Sequence, residues 1–171
     1  MITKNFYNFV SGMGMQKDFY VKIPRGDEKL IAYSTASKTS FGGPFNVMCQ
    51  CSKGSSSSVG QCYMGVVFGS GSTQPTIDDY CLENEIIDSL TVSCPSSTSC
   101  NETEDYVEYT ATFGVTPRAE AVTISEAGVF AGSTTYGTYL VDRIVFDEPI
   151  VINPGETKQL TYTIRMNYPT A

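Results

Sequence analysis

Leu160-Thr161-Tyr162-Thr163-Ile164-Arg165-Met166-Asn167-Tyr168 is the stretch on which the fold turns. Its apolar and aromatic side chains fall at every second position, with Thr161, Thr163, Arg165 and Asn167 between them. Successive side chains of a strand point to opposite faces, so this run reads as a half-buried β-strand. Asn153-Pro154-Gly155-Glu156 precedes it: Pro presets φ and Gly can take the positive φ of a tight turn. Ahead of the turn lies Ile150-Val151-Ile152, apolar on both faces. The three segments together predict two strands paired through a tight turn.

The same period of two recurs upstream. Phe19, Val21 and Ile23 alternate and Pro24 closes the run; Phe45, Val47, Cys49 and Cys51 alternate, as do Leu90, Val92 and Cys94 ahead of Pro95. Val107, Tyr109, Ala111 and Phe113 alternate with Glu108, Thr110 and Thr112. In residues 139–146, Leu140, Ile144 and Phe146 fall on one face and Arg143 on the other. Turn-forming stretches separate the runs: Gly42-Gly43-Pro44, Gly54-Ser55-Ser56-Ser57-Ser58, Gly69-Ser70-Gly71-Ser72, residues 95–99 and residues 132–137. Only residues 4–10 and 78–87 allow a helix. The pattern predicts an all-β protein: an antiparallel β-sandwich, jelly-roll or Ig-like, of about seven to nine strands. Residues 1–18 form an N-terminal arm and residues 19–171 a single domain, with a Cys/Ser-rich loop region over 49–104.

Composition narrows the function. The chain has 171 residues, 11 Lys+Arg against 18 Asp+Glu, a net charge of -7, and no His or Trp. An acidic chain lacks the cationic face that a phosphate backbone requires, which argues against nucleic acid as partner. The missing imidazole removes most hydrolase constellations. No stretch reaches the roughly 18 apolar residues of a membrane span. Nor do the first residues contain the roughly 7–15 apolar residues of a secretory signal, so folding in a cytoplasm is expected.

Six cysteines lie in the middle third: Cys49, Cys51, Cys62, Cys81, Cys94 and Cys100. They suit buried thiols in a reducing compartment, or disulfides in an oxidising one. The single-residue spacer of Cys49-Gln50-Cys51 and the lack of a matching second pair disfavour zinc. A particle assembled in cytoplasm and then released would fold with its thiols reduced and oxidise them afterwards.

No constellation reads as an active site, and no cofactor or metal is expected. Gly69-Ser70-Gly71-Ser72 follows an apolar run but lacks the Gly-Lys-Ser/Thr of a nucleotide loop, so it reads as a turn leaving a strand. Asp78, Asp79, Glu83, Glu85 and Asp88 could host an acid–base pair or a calcium ion, yet have the spacing of neither. They read instead as solvated acids or a charged contact surface. Asn101-Glu102-Thr103 matches a glycosylation acceptor by chance if no secretory signal is present. Phe6, Tyr7 and Phe9 crowd the N-terminus. Such aromatics either pack on their own domain or anchor a neighbouring subunit, because they bury large areas at modest entropic cost.

Three segments, in order, resemble virion proteins of tailed bacteriophages. The first is Tyr63-Met64-Gly65-Val66-Val67-Phe68-Gly69-Ser70-Gly71-Ser72-Thr73-Gln74-Pro75, continuing through Asp78 and Asp79 to Leu82-Glu83-Asn84-Glu85. The second, Ile124-Ser125-Glu126-Ala127-Gly128-Val129-Phe130, is similar to their "Ile-Thr-Glu-Ala-Gly-Leu-Phe". The third runs from Leu140-Val141-Asp142-Arg143 through Phe146 and Pro149-Ile150 to Leu160-Thr161-Tyr162-Thr163-Ile164, similar to their closing strands. Tyr162 stands where those proteins commonly carry Trp. The opening Met1-Ile2-Thr3-Lys4-Asn5-Phe6-Tyr7-Asn8 also resembles the start of gut-phage structural proteins. The likeness spans residues 60–168 apart from the Cys94–Cys100 loop.

The resemblance implies a non-enzymatic, small β-sandwich building block of the particle. The expected role is an auxiliary (decoration) capsid protein on the virion surface, bound to the outside of the major capsid protein. It would be assembled in the host cytoplasm and could self-associate around symmetry axes. The expected contact residues are Phe6, Tyr7, Phe9, Asp78, Asp79, Glu83 and Glu85. A tail, neck or head-fibre-base adaptor is the alternative within the particle, and a glycan-binding surface module the alternative outside that class.

Overall fold

A computed structural model describes residues 1–8, 17–31, 65–86, 88–93, 96–133 and 137–168. Among these residues the chain is almost entirely β, with nine strands. They are β1 (Phe19–Lys22), β2 (Glu28–Ile31), β3 (Gly65–Gly69), β4 (Leu90–Val92), β5 (Ser97–Glu102), β6 (Tyr106–Pro117), β7 (Val122–Ser133), β8 (Gly137–Ile152) and β9 (Lys158–Asn167). The expectation for Phe45–Cys51 lies outside the described residues.

All pairings are antiparallel. β1 and β2 form a hairpin, and β3-β7-β8 form one sheet. In the other, β6 is central, with β9 along one edge and β4 then β5 along the opposite one. The two larger sheets face each other across one core, in which Val66, Phe68, Ala127, Val129, Tyr139 and Val141 meet Leu90, Ala111, Phe113, Val115, Tyr162 and Ile164. This is the all-β, sandwich-like architecture that the alternation predicts.

β8 and β9 depart from the expected strand pair. Gly155 does take the positive φ of the turn, at 81°, and Glu156 N–H donates to Asn153 O at 3.0 Å. Yet β8 pairs with β7 while β9 pairs with β6, so the turn carries the chain from one sheet to the other. β8 also runs unbroken through both segments that read as separate strands, residues 139–146 and 150–152. Ile152 and Tyr162 are both fully buried, and crossing between sheets lets both face the shared core. The same crossing occurs between β6 and β7. A middle hairpin in one sheet is thus flanked by its two outer strands in the other.

β5 was legible only as a turn, because Ser97-Thr98-Ser99-Cys100-Asn101-Glu102 has no apolar period. Its ladder to β6 holds it as a polar edge strand. The outer face of β6 and β9 is hydroxylated: Thr110–Thr163 and Thr112–Thr161 meet at 3.3 and 3.0 Å. Each such cross-strand pair contributes about 0.2–1 kcal/mol.

The N-terminus is fastened to its own domain. Thr3 N–H donates to Val141 O at 2.9 Å, and the Thr3 hydroxyl donates to Leu140 O at 2.7 Å. A helical turn follows at residues 4–8, within the segment that allowed a helix. Asn5 then acts as a surrogate strand partner for β1: its Nδ2 donates to Lys22 O at 2.8 Å and its Oδ1 accepts from Lys22 N–H at 2.7 Å. The second possible helix is absent: residues 78–86 form an irregular loop.

Candidate functional site

The conspicuous polar construction lies on the outer face of β3-β7-β8, beneath the loop of residues 70–86. Glu126 sits in an apolar run of β7 and is fully buried. Its Oε1 accepts from Gly71 N–H at 3.0 Å and Asn84 N–H at 2.8 Å. Its Oε2 accepts from Glu83 N–H at 3.1 Å and Arg143 Nε at 2.9 Å. The N–H groups of Glu83 and Asn84 therefore point at a side chain, which explains why the segment is no helix. The loop is also stitched to β3, through Ser70 N–H to Asn84 O and Ile86 N–H to Phe68 O, both at 2.9 Å.

Arg143, on β8, joins this carboxylate to the loop acids. Its Nη1 donates to Asp79 Oδ2 at 2.8 Å, and its Nη2, which makes no hydrogen bond, lies 3.7 Å from Glu83 Oε2. Burial pushes the Asp79 carboxyl up, but hydrogen bonds from Arg143, Thr76 N–H and the Thr76 hydroxyl outweigh it and hold the pKa below the usual value. Glu83 is held low chiefly by the Thr73 N–H, with Ser72 N–H and Arg143 adding to it. Burial lowers the tendency of the Arg143 guanidinium to stay charged, yet its bonds to Asp79 and Glu126 raise its pKa on balance.

Glycine makes the site possible. A Cβ on Gly69 would meet Glu126 Oε1 at 2.5 Å, and one on Gly71 would meet the same oxygen at 2.6 Å. A Cβ on Gly128 would meet Leu140 Cδ1 at 2.7 Å and Leu82 Cδ2 at 2.8 Å. Gly69 and Gly71 thus let the loop backbone approach a carboxylate. Where a nucleotide loop would hold phosphate, the Gly71 N–H is already taken by Glu126.

Two register shifts in the β7–β8 ladder bring Glu126 and Arg143 to one face. The β7–β8 register shifts between Ile124 and Glu126 and again between Val129 and Phe130. The first sets Glu126 opposite Ile124, which stays in the core. The second turns Leu140 outward, where it packs with Val67, Leu82 and Phe130. This corrects the sequence reading of Leu140 on the face of Ile144 and Phe146: Leu140 shares the outer face with Arg143, because a bulge reverses the alternation.

Between the sheets, Tyr162 on β9 donates its hydroxyl to Asp142 Oδ2 on β8 at 2.6 Å. Asp142 also pairs with the Met1 ammonium at 3.2 Å. Burial first, and then the Asp142 charge, raise the Tyr162 pKa well above 10.

The expected contact residues separate into distinct places. Phe6 is buried against the main core and is no free anchor: its ring packs on its own domain because Thr3 and Asn5 tie the segment down. Tyr7 is exposed beside it, and Phe9 lies outside the described residues. Asp79 turns inward to Arg143, Glu83 stays exposed while its Oε2 accepts from the Ser72 and Thr73 N–H groups, and Asp78 is exposed. Glu85 is half-buried and bridges to Gly69 through its backbone. Lys4 N–H donates to Ile77 O at 2.8 Å, so the N-terminal turn and the acidic loop are neighbours.

Cys81 and Cys100 are free thiols, and the other four cysteines lie outside the described residues. Burial, and then the Asp79 charge, raise the Cys81 pKa. No group of three or more metal-ligating side chains occurs among the described residues. Glu126 and Arg143 were not singled out as site residues from the sequence. The available signal was an acid inside an apolar strand, which must find a partner if buried.

No protein-family model, curated protein or solved structure matches the chain.

Proposed function

We propose that the protein is a non-enzymatic building block of a tailed-bacteriophage particle, an auxiliary capsid protein bound to the outside of the major capsid shell. One observation carries the reading. The three segments of the resemblance are far apart in sequence, yet Gly69, Gly71 and Asn84 from the first, Glu126 and Gly128 from the second, and Arg143 from the third converge on one buried cluster. The motif is therefore one three-dimensional unit, with the work of a scaffold. The carboxylates of Glu126 and Asp79 are engaged in fastening the loop to the sheet, and that of Glu83 in holding the loop to itself.

The contact surface in this reading is the end where Tyr7 and Asp78 are exposed. Attachment at many shell positions makes a modest contact sufficient, since linked sites raise effective affinity. Purified particles settle the matter by copy number: a simple ratio to the major capsid protein supports the shell role, and a few copies per particle assign the protein to neck or tail. Absence from the particle overturns both. With capsids in hand, Tyr7→Ala combined with Asp78→Lys weakens binding without altering thermal stability; undiminished binding removes this surface from consideration.

A further inference from the structure

A groove of about 220 Å³ runs between the helical turn at residues 4–8, β1 and the loop at residues 78–80. Lys4, Asn8, Tyr20, Lys22, Glu28 and Asp78 line it, with Tyr80 and Asp79. Its wall is prearranged. Asn5 is locked to the Lys22 backbone, Asn8 Nδ2 donates to Tyr20 O at 2.9 Å, and Lys22 Nζ lies 4.0 Å from the centre of the Tyr80 ring. Asp79 is neutralised by Arg143, which leaves two ammonium groups, Lys4 and Lys22, against two carboxylates, Glu28 and Asp78. Lys4, Glu28 and Asp78 form no ion pair among the described residues.

These groups restrict the ligand. An anion meets Glu28 and Asp78, and a cation meets Lys4 and Lys22. An apolar molecule would strip water from four charges and return nothing for it. A zwitterion would meet both signs but must give up the water around its own two charges. An uncharged molecule rich in groups that both donate and accept satisfies ammonium, which only donates, and carboxylate, which only accepts, without that cost. Hydroxyl groups do both. The exposed Tyr20, at 56% of its free area, and the half-buried Tyr80 add aromatic surface with polar tips.

We propose that this groove is a binding site for a neutral saccharide, with Lys4 and Asp78 hydrogen-bonding its hydroxyls and the tyrosines bounding it. The proposal does not depend on a virion role. The site is small, so a single groove binds in the millimolar range, where each tenfold in affinity is about 1.4 kcal/mol.

The test is a titration of the ¹⁵N-labelled full chain with maltose, cellobiose and N-acetylglucosamine, read by amide chemical shifts. Glycine and glucuronate serve as zwitterionic and anionic controls. At least one neutral sugar is expected to move the amides of Lys4, Asn8, Tyr20 and Lys22 in a saturable way. The double variant Lys4→Ala/Asp78→Ala then loses about tenfold in affinity or more, with its other amides unmoved. Both side chains are exposed and the Lys4 N–H bond to Ile77 is retained, so the fold is kept; Tyr20→Ala provides a second exposed variant. No shift with any of the sugars, shifts confined to another face, an equal response to either control, or unchanged affinity in the variants would each overturn the proposal.

Discussion

Arg143 Nε on β8 donates to Glu126 Oε2 on β7 across 2.9 Å, with both side chains almost wholly removed from water. The two residues are not register partners: Glu126 sits opposite Val145, and Arg143 opposite Gly128. The contact is diagonal across the ladder, and from Arg143 the guanidinium reaches both Glu126 and Asp79 of the loop.

Removing one member of this pair strands a charge in a dry place. Glu126→Ala and Arg143→Ala should each cost about 3–5 kcal/mol, the usual penalty for breaking a buried ion pair. Their double variant should cost clearly less than the sum, as expected for groups in direct contact. Chemical denaturation of the four proteins measures the coupling; strict additivity would mean the pair is energetically idle.

Acid should loosen the loop before it unfolds the sandwich. Asp79 and Glu83 have folded pKa values below their ordinary values of 3.8 and 4.5. Their contribution is thus fully present above that range and lost as pH falls through it toward the folded values. Hydrogen exchange at the amides of Ser72, Thr73 and Thr76, which donate to Glu83 and Asp79, should lose protection below about pH 4 while β6 and β9 amides keep theirs. Simultaneous loss in both regions would contradict a separately fastened loop.

Three glycines should respond differently to Ala. Gly71→Ala and Gly128→Ala force a methyl into atoms at 2.5–2.8 Å, and overpacking of this kind costs about 1–3 kcal/mol. Gly155→Ala meets nothing within 4 Å but keeps φ at +81°, so it costs about 1 kcal/mol through backbone strain alone. Thermal melts can rank them, at about 2–4 °C per kcal/mol for a chain of this size.

Tyr162→Phe leaves a buried Asp142 oxygen short of a donor and should cost about 1–3 kcal/mol. In the wild type, the raised phenol pKa gives a contribution fully present below pH 10 and lost as pH rises through the folded value. Ultraviolet titration should therefore show at least one tyrosine that ionises only on alkaline unfolding. A full complement of tyrosinate in the folded protein would refute this.

Phe6 and Tyr7 are adjacent in sequence and opposite in consequence. Phe6→Ala should cost about 3–5 kcal/mol as a core truncation. Tyr7→Ala, at an exposed position, should stay within about 0.5 kcal/mol. Deletion of residues 1–8 should likewise destabilise the fold, because it removes Phe6 from the core and Asn5 from the edge of β1. A deletion variant with unchanged stability would contradict that docking.

The sequence by itself determined the class of fold and the position of most strands. A period of two survives wherever one strand face is buried, as in Leu160, Tyr162 and Ile164, and the turn at Gly155 follows from local backbone freedom. It did not determine which strands pair, because a tight turn after Ile152 can close a hairpin or cross between sheets with the same residues. Nor did it reveal the charge network. The β7–β8 ladder skips Ser125 against residues 146–149 and, further along, Val141 alone, and these two shifts reverse the faces on which Glu126 and Leu140 emerge. Acids spaced along the loop look alike in sequence. Only the tertiary structure separates Asp79, turned inward to Arg143, from Asp78, left facing water, because the distinction rests on a partner 64 residues away.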